Sequence, residues 1–165
     1  MRPVFVGFGL LAIVSLVVSG CGEETGDYVE ITGGGFQYNY RLSEATYTLV
    51  ASKRRSVPAG TVFIAEFENP EGGPRLVARL ESIERQQRFP LTSPPVKGIR
   101  GGQTYAATLR LETPEGKPIE SHETTYTAKL DSAILGDKPL TIGPGYARNP
   151  ERPENQAPEN QAPKD

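Results

Sequence analysis

From Phe36 to Leu111 apolar side chains recur at every second position in several segments, the spacing of half-buried β-strands and not of helices. In GFQYNYRL, Phe36, Tyr38, Tyr40 and Leu42 share one face, and Gln37, Asn39 and Arg41 share the other. In ATYTLVA the apolar set is Ala45, Tyr47, Leu49 and Ala51, and in TYAATLRLE it is Tyr105, Ala107, Leu109 and Leu111. TVFIAEF is apolar on both faces, which predicts a central strand. Turn residues punctuate these segments: VPAG before Thr61, ENPEGGP after Phe67, SPP before Val96, IRGG before Gln103 and TPEGK before Pro118. In the last of these Pro114 opens a type I turn and Gly116 is free to take a positive φ, so a hairpin is expected. The pattern predicts an all-β chain, an immunoglobulin/fibronectin-like β-sandwich of about seven short strands.

One segment reads two ways. In PRLVARLESIERQQRF, Val77, Leu80 and Ile83 or Glu84 fall on one helical face, and Glu81 with Arg85 and Glu84 with Arg88 are i,i+4 pairs. The same residues make two strands if Leu76, Ala78 and Leu80 alternate before a turn near Ser82 and a second strand ends at Phe89 and Leu91. Downstream, a Tyr that starts a strand after the bend IRGG resembles the tyrosine corner of sandwich folds, which gives the hydroxyl of Tyr105 a structural role in pinning the bend.

The ends of the chain differ from this middle. Arg2, an apolar run from Val4 through Val18 and the small pair Ser19 and Gly20 follow the plan of a signal peptide, and the run is too short and too Gly-interrupted for a stable membrane span. The sequence LVVSGC resembles the bacterial lipobox, which implies acylation at Cys21, the only cysteine. With two or three acyl chains, each buried methylene contributing about 0.8 kcal/mol, such an anchor is durable. Gly22 follows the cysteine where the enteric lipoproteins retained in the inner membrane carry Asp, so the resemblance implies the periplasmic face of the outer membrane, with the inner membrane as the alternative. At the other end PENQA occurs twice, at Pro153 and Pro158, and from Asn149 onward no aromatic or branched aliphatic residue is available for a core. The expected organisation is a lipoprotein signal peptide over 1–20, a lipidated tether over 21–27, the β-sandwich domain over 28–142 and a Pro-rich disordered tail over 143–165.

Charge narrows the partners. Among 165 residues, 18 basic side chains face 20 acidic ones. Residues 1–20 hold one Arg and no acid, so the remainder has 17 against 20, a net −3. That balance disfavours nucleic acid as a partner. The basic run Lys53-Arg54-Arg55 reads as a solvated turn or as a contact for anionic lipid headgroups.

Beyond the lipobox, SVPAGTVFIAEFENPEGGPRLVARLESIERQQRFPL followed by GGQTYAATLRLETPEGKPIESHETTY resembles the small envelope lipoproteins of the YscW and YbaY type, the type III secretion lipoprotein chaperones or pilotins. The likeness rests on the Pro-Gly turn at Pro58 to Gly60, a strand like LVARL, the Gln-rich turn into QQRFPL, and a last hairpin with Tyr105 at its start and Gly116 at its turn. It covers roughly residues 45–128. It implies a β-sandwich, two strands in the ambiguous segment, and a lipid-anchored chaperone with an envelope protein as partner. The strand around Phe36, the segment ILGDKPLTIGPGY and the PENQA tail have no place in the family pattern.

Candidate chemistry is sparse. His122 is the only histidine; Ser121 points to the other face of its strand, so the two are not a nucleophile and its base, and an exposed strand histidine is expected. No zinc-like ligand spacing occurs, and no cofactor is implied. Gly33 to Gly35 precede a strand and not a helix, so they read as a turn or bulge and not as a phosphate loop. GPGY, Gly143 to Tyr146, reads as a turn whose Tyr packs on the domain. No catalytic or metal-binding residue is assigned. Binding is assigned to the edge strand PIESHETTYTA through Ile119, Thr124 and Tyr126, where only one of Ile119 and Tyr126 reaches the core if the strand is regular. The expected function is a protein-binding chaperone or assembly module. The alternative is a structural lipoprotein that braces the membrane or contacts the cell wall.

Overall fold

The computed structural model describes residues 26–152. The chain is an all-β sandwich of two antiparallel sheets. Seven strands build it: β1 (Val29–Asn39), β2 (Glu44–Lys53), β3 (Val62–Phe67), β4 (Leu76–Glu81), β5 (Arg88–Thr92), β6 (Thr104–Glu112) and β7 (Pro118–Thr127). One sheet has the order β1-β2-β5 and the other β4-β3-β6-β7. After β7 come a short 3-10 helix at Ser132–Leu135 and a small hairpin, β8 (Thr141–Ile142) with β9 (Ala147–Arg148).

Period-two patterning explains the core. Ala45, Tyr47, Leu49 and Ala51 of β2 and Tyr105, Ala107, Leu109 and Leu111 of β6 are all buried, and they meet between the sheets. Central β3 also buries Ile64 on its outer face, consistent with its unbroken apolar run. Phe63 of β3 stacks on Phe89 of β5 across the sandwich, with ring centroids 4.0 Å apart. The ambiguous segment forms two strands, β4 and β5, which belong to different sheets. The competition is uneven in energy. Helical i,i+4 pairs contribute about 0.2–0.5 kcal/mol each, whereas burying Phe89 or Leu91 contributes roughly 1.5–3 kcal/mol each.

Two boundaries depart from the periodicity. β1 was expected to run on to Leu42, yet it stops at Asn39, and Tyr40 and Leu42 are exposed in the following turn. The side chain of Asn39 ends the strand: its Oδ1 accepts the N–H groups of Arg41 and Leu42 at 3.1 and 3.2 Å. At its start β1 reaches back through Gly33–Gly35 to Val29, with a register shift between Ile31 and Gly33. The second departure is at the C-terminus. The residues described past 142 are paired with the domain: β8 and β9 form a hairpin across that boundary. Asn149 is buried; its N–H donates to Leu140 O at 3.0 Å and its Nδ2 to Pro139 O at 2.9 Å. A polar side chain holds this end, which is why a search for apolar residues missed it. The signal segment, Cys21 and the PENQA repeats lie outside the described residues.

Candidate binding edge

β7 is the last strand of its sheet, hydrogen-bonded to β6 alone. Its register with β6 sets Tyr126 opposite Tyr105, Thr124 opposite Ala107, His122 opposite Leu109 and Glu120 opposite Leu111. These four β7 side chains face inward at the margin of the core and are half-buried. Ile119 was expected to oppose Tyr126 in orientation. Instead the register slips beside Leu111 and Glu112, leaving Ile119 without a β6 partner, and both Ile119 and Tyr126 pack against the core. A bulge adds one residue and so cancels the parity argument.

The inward polar groups of β7 tie it to β1 of the opposite sheet. The carboxylate of Glu120 accepts the N–H of Tyr28 at 2.7 Å and that of Val29 at 3.3 Å, and it pairs with His122 Nε2. His122 is therefore not the exposed histidine expected from its polar strand. Near the other end, the hydroxyl of Tyr126 donates to Gly33 O at 3.0 Å. Burial pushes the Tyr126 phenol above its ordinary pKa, against a smaller lowering by its hydrogen bond with Thr124. The approach requires glycine: Gly34 has a φ of +151°, and a Cβ there would collide with the Tyr126 hydroxyl and Thr48 O. The Gly run is thus a strand segment that admits a phenol from the other sheet. Beside it lies a cleft of about 350 Å³ lined by Gly35, Phe36, Tyr38, Tyr126 and Leu130 among others.

Tyr105, assigned a structural role, is buried at the start of β6, and its hydroxyl accepts the N–H of Arg100 at 2.8 Å. That is the geometry of a tyrosine corner. Tyr146 in the GPGY turn is 58% exposed, with the Arg41 guanidinium 3.8 Å from its ring centroid, so it covers a side chain and not a core. Among the described residues no cluster of His, Cys, Asp and Glu could hold a metal ion, and no helix is long and apolar enough to cross a membrane.

The sequence placed Thr124 and Tyr126 at the edge but missed Glu120. The available signal was parity alone, since Glu120, His122, Thr124 and Tyr126 are even-numbered along one strand. Nothing local says that a carboxylate there meets the amides at the start of β1, some ninety residues earlier in the chain.

No family model matches the chain, and no curated protein matches it. Among solved structures it is similar to a β-glucuronidase of Parabacteroides merdae, at 15% identity and a TM-score of 0.45 over 61% of this chain. It is similar also to a family 76 glycoside hydrolase from a bovine Bacteroides thetaiotaomicron strain, at 12% identity and a TM-score of 0.39 over 60% of this chain. The chain spans 13% and 20% of the lengths of those two proteins.

Proposed function

We propose that this protein is a lipid-anchored lipoprotein of the bacterial envelope that works by binding, as a pilotin-like chaperone or assembly module for another envelope protein. The observation that carries this reading is the free outer side of β7. Along Pro118–Thr127 a strand of ten residues has a neighbour on one side only. Such an edge is completed by an extended segment of a partner, with main-chain hydrogen bonds giving affinity and side-chain pockets giving selectivity. The cleft beside Tyr126 supplies one such pocket, lined by Phe36, Tyr38 and Leu130, and it suits an apolar side chain of the incoming segment. The Thr-rich face of β7 stays wettable while the edge is empty, so the module needs no partner to remain folded. Cys21 keeps the domain at the membrane, on the periplasmic face of the outer membrane.

The test uses photo-crosslinkers at the exposed positions Ser121 and Glu123 in living cells, with and without Thr125→Pro, whose N–H faces away from β6. Proline removes a backbone donor and bends the edge. Loss of the crosslinked product, with the far-ultraviolet dichroism and membrane fractionation unchanged, is expected. A folded proline variant that crosslinks at the wild-type level would falsify the edge as the site. Cys21→Ser tests the anchor separately: the protein should then leave the membrane fraction.

A further inference from the structure

The end of the sandwich nearest the anchor brings together residues far apart in sequence. Antiparallel register sets Val29 opposite Lys53 and Ser52 opposite Arg88, so the start of β1, the end of β2 and the turn between β4 and β5 lie at one end. Tyr28 O accepts the N–H groups of Arg54 and Arg55 at 2.9 and 3.3 Å, and Lys53 donates its own to Gln87 O at 2.9 Å. The basic run is thereby pinned to a residue seven positions after Cys21. Seven extended residues reach at most about 25 Å. The opposite end of the domain lies roughly 35 Å farther along β1 at the usual rise per residue.

This near end has the features of an interfacial surface. Ile83, at 72% exposure, stands out of the β4–β5 turn, where Arg85 takes a φ of +64°. Lys53, Glu84 and Arg85 line the same cleft as Ile83, Arg88 opens β5 opposite Ser52, and Arg54 and Arg55 follow Lys53. The acids at this end are Asp27, Glu30, Glu81, Glu84, Glu112, Glu115 and Glu120. Glu30 is engaged by Arg54 at 2.6 Å, Glu112 by Arg110 at 3.6 Å and Glu120 by His122 and the amides of Tyr28 and Val29, which leaves Glu84 as the acid beside Ile83 in its cleft. The Arg55 guanidinium lies over the Tyr28 ring, 3.4 Å from its centroid, so an aromatic and a cation sit together where the tether joins the domain. An apolar side chain projecting among long cationic ones, within tether length of a bilayer, fits headgroups: the apolar tip enters the interface and the cations meet phosphate.

We infer that this end is a lipid-docking face. Ile83 inserts among the headgroups, and Lys53, Arg85 and Arg88 contact the phosphates of anionic lipids. The domain then stands on the membrane with β1 rising from it and the β8–β9 hairpin turned away. This inference rests on the reading of Cys21 as the anchor.

The acylated full chain, purified from cells, is reconstituted in vesicles of phosphatidylethanolamine and phosphatidylglycerol. A nitroxide label is placed by Ile83→Cys in one sample and Tyr146→Cys in another; both positions are exposed, and the native thiol is occupied by its acyl chain. Accessibility to a water-soluble relaxation agent should fall severalfold at 83 and stay unchanged at 146. Each basic side chain at an anionic surface is worth roughly fivefold in partitioning, so Arg85→Glu with Arg88→Glu should restore most of the accessibility at 83. High salt on the unreversed chain gives the same readout without a charge substitution. A chain that attaches while labels at 83 and 146 remain equally accessible overturns the docking face and leaves the anchor standing. Equal protection at 83 in vesicles of phosphatidylcholine alone overturns the role of the cations. A chain that attaches to no vesicle overturns the anchor, and the docking face falls with it.

Discussion

β6 and β7 lie side by side in one sheet and turn the same face toward the opposite sheet, yet the residues they send inward are of different kinds. β6 contributes Tyr105, Ala107, Leu109 and Leu111; their partners on β7 are Tyr126, Thr124, His122 and Glu120. One strand is a core strand, and its neighbour is where the core ends. At that boundary the two sheets are joined by directed bonds: Glu120 takes two amides at the start of β1 and Tyr126 takes a carbonyl in its Gly run. The physical reason is exposure. An apolar contact at the margin gains little once water reaches one side of it, whereas a hydrogen bond at a half-wet margin satisfies backbone groups that β1 would otherwise leave unpaired. β6 therefore holds the fold by burial, while β7 holds β1 by polar contacts and keeps its outer backbone free.

Breaking this contrast should be most costly on β6. Leu109 is fully buried, and Leu109→Ala removes packed methyl groups and leaves a cavity, for an expected loss of about 2–5 kcal/mol in a denaturant titration. His122, its register partner, keeps one hydrogen bond in a half-wet setting, so His122→Ala should cost about 1 kcal/mol or less. Equal losses at the two positions would show that the core extends through β7. Next in size is Glu120→Ala, which strands the amides of Tyr28 and Val29. It should cost about 1–3 kcal/mol and accelerate amide exchange at those two positions before the rest of the sandwich. Uniform exchange in that variant would deny Glu120 its local role.

How much of this was legible in the sequence follows the same division. Strands such as β2, β3 and β6 declare themselves, because alternation in a buried strand is produced by the core that buries it. The beginning of β1 was not legible: Gly33 to Gly35 look like a turn until the Tyr126 hydroxyl is placed against Gly34, a contact between residues ninety-two positions apart. The orientation of Ile119 was misread because a bulge carries no mark in a polar strand. The buried Asn149 was hidden because its worth lies in the carbonyls of Pro139 and Leu140, just before β8, and not in its own hydropathy. Burial patterns are written locally, and polar clamps are written in pairs that only the fold brings together.

The contrast sharpens further between two phenols. Tyr47 and Tyr105 are both buried, with ring centroids 6.2 Å apart. The hydroxyl of Tyr105 accepts the Arg100 N–H, while that of Tyr47 meets no hydrogen-bond partner among the described residues. Tyr105→Phe should thus cost about 0.5–1.5 kcal/mol, whereas Tyr47→Phe, which removes an unsatisfied hydroxyl, should be neutral or slightly stabilising. A destabilised Tyr47→Phe would instead identify a bound water at that hydroxyl.

Alkaline titration gives the smallest effect and separates the same residues by another route. Burial, the largest cause, pushes the Tyr47 phenol well above its ordinary value of 10.0, with further raising by Tyr105 and Glu68 nearby. Burial likewise raises Tyr126 and Tyr38. For a phenol with a raised folded pKa, the folded state keeps its proton after the unfolded chain has lost it. Stability is therefore intact below the unfolded pKa of about 10 and declines as pH rises toward the folded value, because unfolding then releases a proton. Tyr47→Phe deletes the strongest of these contributions, so its midpoint should fall less steeply above pH 10 than that of the parent chain, while the two curves run parallel below it. Curves that stay parallel throughout would place the alkaline loss on the margin phenols Tyr126 and Tyr38, and Tyr126→Phe should then flatten the limb. Tyr126 is bonded to β1 through Gly33 O, so its variant should also lower the plateau below pH 10, which Tyr47→Phe does not.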